Sequence, residues 1–174
     1  MCFVFHFLPP CIICNRFSQI SFAKSIKFLS LGTWARRLKD WKGERKMQEQ
    51  RGGFYTIAAW QKGDDLVVEI YQVTQKFPRH ELYGLVSQLR RASVSVPANI
   101  AEGSGRRTIR DYIRFLYQAK GSLAELEYLV HLSHRLGYLT DGEFRNLRSD
   151  LRQTAGALLG FIRSKEQEAQ AQEE

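Results

Sequence analysis

From residue 57 onward, apolar positions recur with a helical period. A first segment, roughly 57–76, places Ala59, Leu66, Val67, Ile70, Val73 and Phe77 at spacings of three, four and seven. Pro78 ends it and suits the first turn of a following helix, where a missing N–H is harmless. A second segment, roughly 79–102, carries Leu82, Leu85, Leu89, Ala92, Val96 and Ile100 on one face. The run Gly103-Ser104-Gly105 then supplies backbone freedom for a reversal. Thr108-Ile-Arg-Asp111 reads as a variant capping box opening a third helix, which stops at Gly137. Thr140-Asp-Gly-Glu143 caps a fourth helix in the same way, with Phe144, Leu147, Leu151, Thr154, Leu158 and Phe161 down to about Ser164. Strand signals are nearly absent. Short joints between long helices enforce antiparallel neighbours, so the pattern predicts an all-α, up-down-up-down antiparallel four-helix bundle over 47–166, with a frayed polar tail over 167–174.

Two features complicate this pattern. Pro97 lies inside the second segment, removes one N–H and is expected to kink or split that helix near Ser93. The third helix is richer in apolar residues than a bundle helix needs: fifteen of the twenty-eight positions from Ile109 to Leu136 are apolar, counting Tyr and Ala. They form two stripes, Ile109, Ile113, Leu116, Leu123 and Val130, and Tyr112, Phe115, Ala119, Leu126 and Leu129. A second stripe buried against another subunit explains the surplus; a broad core face within one chain is the alternative.

Charge divides the chain. Residues 1–46 hold nine Lys/Arg against two Asp/Glu, a net +7, whereas residues 47–174 hold seventeen against sixteen. The pI near 9.6 is therefore a property of the leader and carries no nucleic-acid argument for the bundle. The leader MCFVFHFLPPCIICNRF is apolar at its start but lacks a basic n-region and a prompt small-x-small site, and Pro9-Pro10 interrupts it. Cys2, Cys11 and Cys14 all lie there; Cys11-Ile-Ile-Cys14 has no second C-x-x-C, so incidental cysteines are the simpler reading. Residues 1–46 read as an unpatterned basic leader, either disordered or the product of a start placed upstream of Met47. No apolar run approaches the ~20 residues that span a bilayer, so no membrane contact is expected and the expected location is cytoplasmic.

The segment Gln88-Leu-Arg-Arg-Ala-Ser-Val-Ser-Val-Pro-Ala-Asn-Ile-Ala-Glu-Gly-Ser-Gly-Arg106 resembles the signature of the 23S rRNA intervening-sequence proteins. Phe77-Pro78, Glu81, Tyr83-Gly84-Leu85, Asp111-Tyr112, Phe115-Leu116, Ala119, Gly121-Ser122-Leu123 and Glu125-Leu126-Glu127 extend the resemblance in order over about 55–164. Gly63 departs from it, standing where a small Ala is usual. The resemblance implies a bacterial four-helix bundle assembled as a homopentamer. It also implies kinship with accessory proteins of diversity-generating retroelements, which bind a reverse transcriptase and nucleic acid. It implies no reaction.

Two residue sets carry candidate chemistry. Glu81, Gly84, Gln88, Arg91, Ser95, Asn99 and Glu102 recur every three or four positions as a polar stripe. With Pro97 and Gly103, its members Gln88, Ser95, Asn99 and Glu102 are expected to satisfy the proline kink and set helix pairing; direct ligand binding is the alternative. Arg90, Arg91, Arg106, Arg107, Arg110 and Arg114 cluster in sequence around the joint of the second and third helices. Repeated around a ring they would concentrate positive potential for RNA or DNA phosphates, alone or in a ribonucleoprotein; ordinary solvated arginines are the alternative. Without interleaved aromatics, sequence-specific readout is not expected. Gly103-Ser-Gly105-Arg-Arg lacks the P-loop pattern. Glu127, His131 and His134 share a helix face, but no second E-x-x-H completes a metal set. No catalytic constellation stands out, so neither an enzyme nor a cofactor is expected.

Overall fold

The computed structural model describes residues 53–172. The leader 1–46, its three cysteines and Met47 lie outside the described residues. A 3-10 turn, Gly53–Thr56, precedes four helices: α1 (Ala58–Val73), α2 (Leu85–Ser104), α3 (Ile109–Arg135) and α4 (Asp141–Ala171). Each helix packs on its neighbours in sequence, and α1 closes on α4. Contacts run in opposite order along each pair, making neighbours antiparallel. On α1 and α2, Gly63 faces Val96 and Pro97 while Arg90 reaches Thr74. On α2 and α3, Ser95 meets Ser122 and Arg91 meets Glu125. On α3 and α4, Tyr117 bonds Glu166 and His134 meets Asp141. On α4 and α1, Gln153 accepts from Lys62 and Glu143 from Lys76.

Local chemistry explains most helix ends. The Thr108 hydroxyl accepts from Asp111 N–H, and the Asp111 carboxylate accepts from that hydroxyl. At α4 the capping box is complete, with Thr140 and Glu143 satisfying each other's backbone N–H groups. Gly137, at φ +75°, ends α3 while Tyr138 N–H bonds Ser133 C=O and Gly137 N–H bonds His134 C=O. This is a Schellman closure, which only a residue tolerant of the left-handed region completes without strain.

Three boundaries differ from the periodic pattern. The second helix begins at Leu85: Phe77 is extended before Pro78, and Arg79–Glu81 form a separate 3-10 turn. Its N-cap is Gly84, which has no capping side chain, so the Glu81 carboxylate reaches forward to accept from Leu85 N–H at 3.1 Å. Leu82, placed by spacing on the core face, is consequently 48% exposed. The helix is not split at Pro97, which is buried within a continuous α2. The fourth helix continues past Ser164 to Ala171, because its last turns are rich in good helix formers.

The core runs through all four helices, from Ala59, Leu66 and Ile70 through Leu89, Val96 and Ile100 to Leu116, Leu126, Leu151 and Leu158. Both α3 stripes feed it: Leu116, Leu123 and Val130 from one, Ala119, Leu126 and Leu129 from the other. Lying between α2 and α4, α3 buries a broad face within one chain, and its apolar surplus therefore requires no second subunit. Of that surplus, Tyr117, Ala124 and Tyr128 remain exposed, as does Leu136 at the C-cap.

The two helix-contact glycines behave oppositely. A Cβ at Gly63 meets Val96 Cγ1 at 3.4 Å and Pro97 Cδ at 3.6 Å, which is ordinary contact. At Gly103 it would lie 2.5 Å from Tyr112 Cδ2 and 2.9 Å from Phe115 Cβ. Gly63→Ala should therefore raise unfolding free energy by about 0.5–1 kcal/mol through helix propensity and reduced chain entropy. Gly103→Ala should lower it by about 1–3 kcal/mol through overpacking. Urea melts of both variants measure the difference.

On the α1–α4 seam, burial, then the Asp150 carboxylate across the seam and Asp65 on the same helix, push the Glu69 carboxyl up to about 7. A carboxyl that binds its proton more tightly when folded stabilises the fold below its ordinary value of 4.5, and that contribution is lost as pH rises toward 7. The melting temperature should thus decline between about pH 5 and pH 7.5, and Glu69→Gln should flatten the decline.

Candidate nucleic-acid interface

The six arginines that cluster in sequence do not form one patch. Arg90 and Arg91 lie near the start of α2, fourteen and thirteen residues from its end at Ser104 and so roughly 20 Å along the axis at 1.5 Å per residue. Arg90 is half-buried; its Nε donates to Thr74 Oγ1 at 3.0 Å and its guanidinium covers the Tyr71 ring at 4.6 Å. It is an α1–α2 packing residue. Arg91 donates to Gln88 Oε1 at 2.6 Å and pairs with Glu125 of α3 at 3.4 Å. Arg114 is exposed beside Asp111 at 3.6 Å.

The remaining three converge. Arg106, Arg107 and Arg110 surround an open groove of about 530 Å³ at the α2–α3 joint. Lys165, far away in sequence near the end of α4, lines the same groove with Tyr112 and Glu168. Arg106 pairs with Glu102 and lies over the Phe115 ring at 4.4 Å. Lys165 is held by Glu168 at 2.7 Å, its ammonium 5.7 Å and 5.9 Å from the Phe161 and Tyr112 ring centres. These two rings meet edge-on at 5.7 Å. The Tyr112 hydroxyl is buried and has no hydrogen-bond partner among the described residues; burial pushes it up to about 12, so it stays a neutral donor. Spacing along one helix does not reveal Lys165, whose place in the groove depends on the register of α4 against α3.

The polar stripe has a structural arrangement along the α2–α3 seam. Arg91 donates to Gln88 on its own helix and to Glu125 on α3, Ser95 Oγ and Ser122 Oγ lie 2.8 Å apart, and Asn99 Nδ2 donates to Ser95 O at 2.7 Å and Ser95 Oγ at 3.0 Å. Glu102 closes the series on Arg106. The Asn99 amide goes to the carbonyl of Ser95 rather than to that of Ser93, which Pro97 deprives of its helical partner. Gly103 serves close helix approach rather than chain reversal, and the following Gly105 has an ordinary helical φ of −87°. Helix pairing, more than repair of the proline, is what the stripe accomplishes.

At the opposite end of α3, His134 stacks on Phe144 with centroids 4.2 Å apart, and its Nε2 lies 2.8 Å from Asp141 Oδ1. His131 borders Phe144 at 6.4 Å. Among the described residues no group of three or more His, Cys, Asp or Glu side chains is placed to hold a metal ion. No described helix is long and apolar enough to cross a membrane.

The family model for 23S rRNA-intervening sequence proteins matches residues 56–160, which contain every helix joint and most of the groove. The chain belongs to this family. Comparison with curated proteins gives no match. Among solved structures, this 23S rRNA-intervening sequence protein is similar to a protein of unknown function from the S23 ribosomal protein family of Bacteroides thetaiotaomicron VPI-5482. The two are 23% identical, with a TM-score of 0.55 over 60% of this chain and 98% of the other. At that identity the likeness establishes the bundle fold alone. The family match includes Arg106, Arg107 and Arg110 but ends before Lys165, so the groove's fourth cation lies outside the matched span.

Proposed function

We propose that this protein is a non-catalytic scaffold that binds RNA or DNA, free or within a ribonucleoprotein, through the groove at the α2–α3 joint. The observation that carries this reading is the convergence of Arg106, Arg107, Arg110 and Lys165 around one concavity. Four cations in a concave, partly apolar wall focus positive potential on a bound polyanion. Phosphate contacts of this kind fix position without reading sequence, in keeping with a groove whose aromatic rings lie beneath cations. Arg90, Arg91 and Arg114 are left out of the interface, because none of them lines the groove.

Assembly as a homo-oligomer, a pentamer by family resemblance, is part of the same proposal and would repeat the groove around a ring. A reverse transcriptase is the protein partner that the resemblance suggests, and the cytoplasm is the proposed location. A protein-interaction module without nucleic acid is the second reading. It is favoured by exposed Tyr117, Tyr128 and Leu159 on α3 and α4, near glycines 121, 156 and 160, beside which lies open space.

Replacing Arg106, Arg107 and Arg110 together with Gln in the full chain separates these readings. Binding to structured RNA or duplex DNA should weaken, and its salt slope should flatten by roughly 0.9 for each duplex phosphate no longer neutralised. The leader's charge is common to parent and variant, so the difference belongs to the groove. Circular dichroism should be unchanged, because the three positions lie in a joint and an exposed first turn. Equal binding by parent and variant would remove the groove from the interface and leave the interaction module as the better reading.

In analytical ultracentrifugation the full chain should sediment as an oligomer at micromolar concentration. A monomer would rule out the assembly in both readings.

A further inference from the structure

We infer that the groove takes a phosphomonoester, the phosphate at an end of a nucleic-acid strand, rather than the phosphodiesters along its length; this rests on the nucleic-acid reading above. Its form is the first reason. At about 530 Å³ the open groove has the size of small-ligand clefts, which run from roughly 300 to 1,000 Å³. A duplex presents its phosphates on a convex cylinder and reaches only the rim.

The distribution of charge is the second. Arg107 and Arg110 are exposed, Arg106 has 43% of its side chain exposed, and Lys165 has only 23%. The cations thus descend into the groove, and the most enclosed of them is reached only by a group that enters. Lys165 is fixed there between the Tyr112 and Phe161 rings and the Glu168 carboxylate. Attraction to the rings' faces and pairing with Glu168 hold its ammonium in one place, at little further entropic loss on binding.

The wall is the third. Thr108, Ile109 and Arg110, the start of the 27-residue helix α3, line the groove and direct the positive end of the helix dipole toward it. Glu102, Asp111 and Glu168 oppose an anion. A monoester, with close to two negative charges at neutral pH, gains more from the four cations against these carboxylates than a singly charged diester does. The same chemistry could be offered by a free nucleoside monophosphate or by a chain terminus.

The test uses the full chain and one short single-stranded RNA sequence, prepared with hydroxyl ends, with a 5′ phosphate or with a 3′ phosphate, together with the nucleoside monophosphate alone. A terminal phosphate should tighten binding about tenfold, the equivalent of about 1.4 kcal/mol. Lys165→Gln should abolish that difference, and exposed Arg107→Gln should reduce it without altering the melting temperature. RNA bound more tightly than the monophosphate assigns the groove to a chain end, and equal affinity assigns it to the free nucleotide. Equal binding of phosphorylated and hydroxyl-ended RNA would overturn the inference and leave the nucleic-acid reading standing. Failure of every RNA to bind would overturn that reading, and failure of the monophosphate as well would remove the groove as an anion site.

Discussion

Gly103 has no side chain, and the α2–α3 seam is built on that fact. Any Cβ there would press into the Tyr112 ring and the Phe115 stem. With hydrogen in its place, the last turn of α2 lies directly on the first turns of α3. Everything at that end of the bundle follows from this approach. Arg106 comes to rest on Phe115, Tyr112 and Phe161 meet edge-on, and Lys165 settles over both rings. A side chain at position 103 would separate the joint from α4 and disperse the cations that now share a groove.

Much of the fold was legible because its determinants are local. Thr108, Thr140 and Gly137 end helices through groups within a few residues, and the apolar spacing of α1 and α4 needs no partner to be read. What periodicity missed came from outside the segment concerned. The start of α2 is set by Glu81, which caps Leu85 over a glycine, so Leu82 only resembles a core residue. The excess of apolar residues in α3 counts side chains, whereas burial depends on neighbours; a helix between two others uses both stripes. The last turns of α4 carry no apolar signal because they are polar helix formers, yet these turns complete the groove.

The candidate site shows the same division between sequence and space. Six arginines close in sequence separate into an α1–α2 packing residue, a rung of the α2–α3 seam, an exposed ion pair and three groove residues. Half of the set therefore lines the groove, and the fourth cation there, Lys165, comes from another helix. The signature from Gln88 to Arg106 maps mainly onto helix pairing, where Ser95, Ser122 and Asn99 form a buried-edge hydrogen-bond cluster.

Besides capping α2, the Glu81 carboxylate uses its other oxygen to accept from the Tyr138 hydroxyl at 3.2 Å, while Tyr138 packs on Phe77 at 5.3 Å and Lys76 pairs with Glu143. Two chain connections are thereby stitched together at one pole of the bundle. At the other pole a single connection, between α2 and α3, meets the terminal turns of α4. A phosphate held between the joint arginines and Lys165 would act there as a clasp, converting part of its binding free energy into local stability of α4. Side chains fasten both poles of the described bundle, and only at the second would an anion add a fastening from outside.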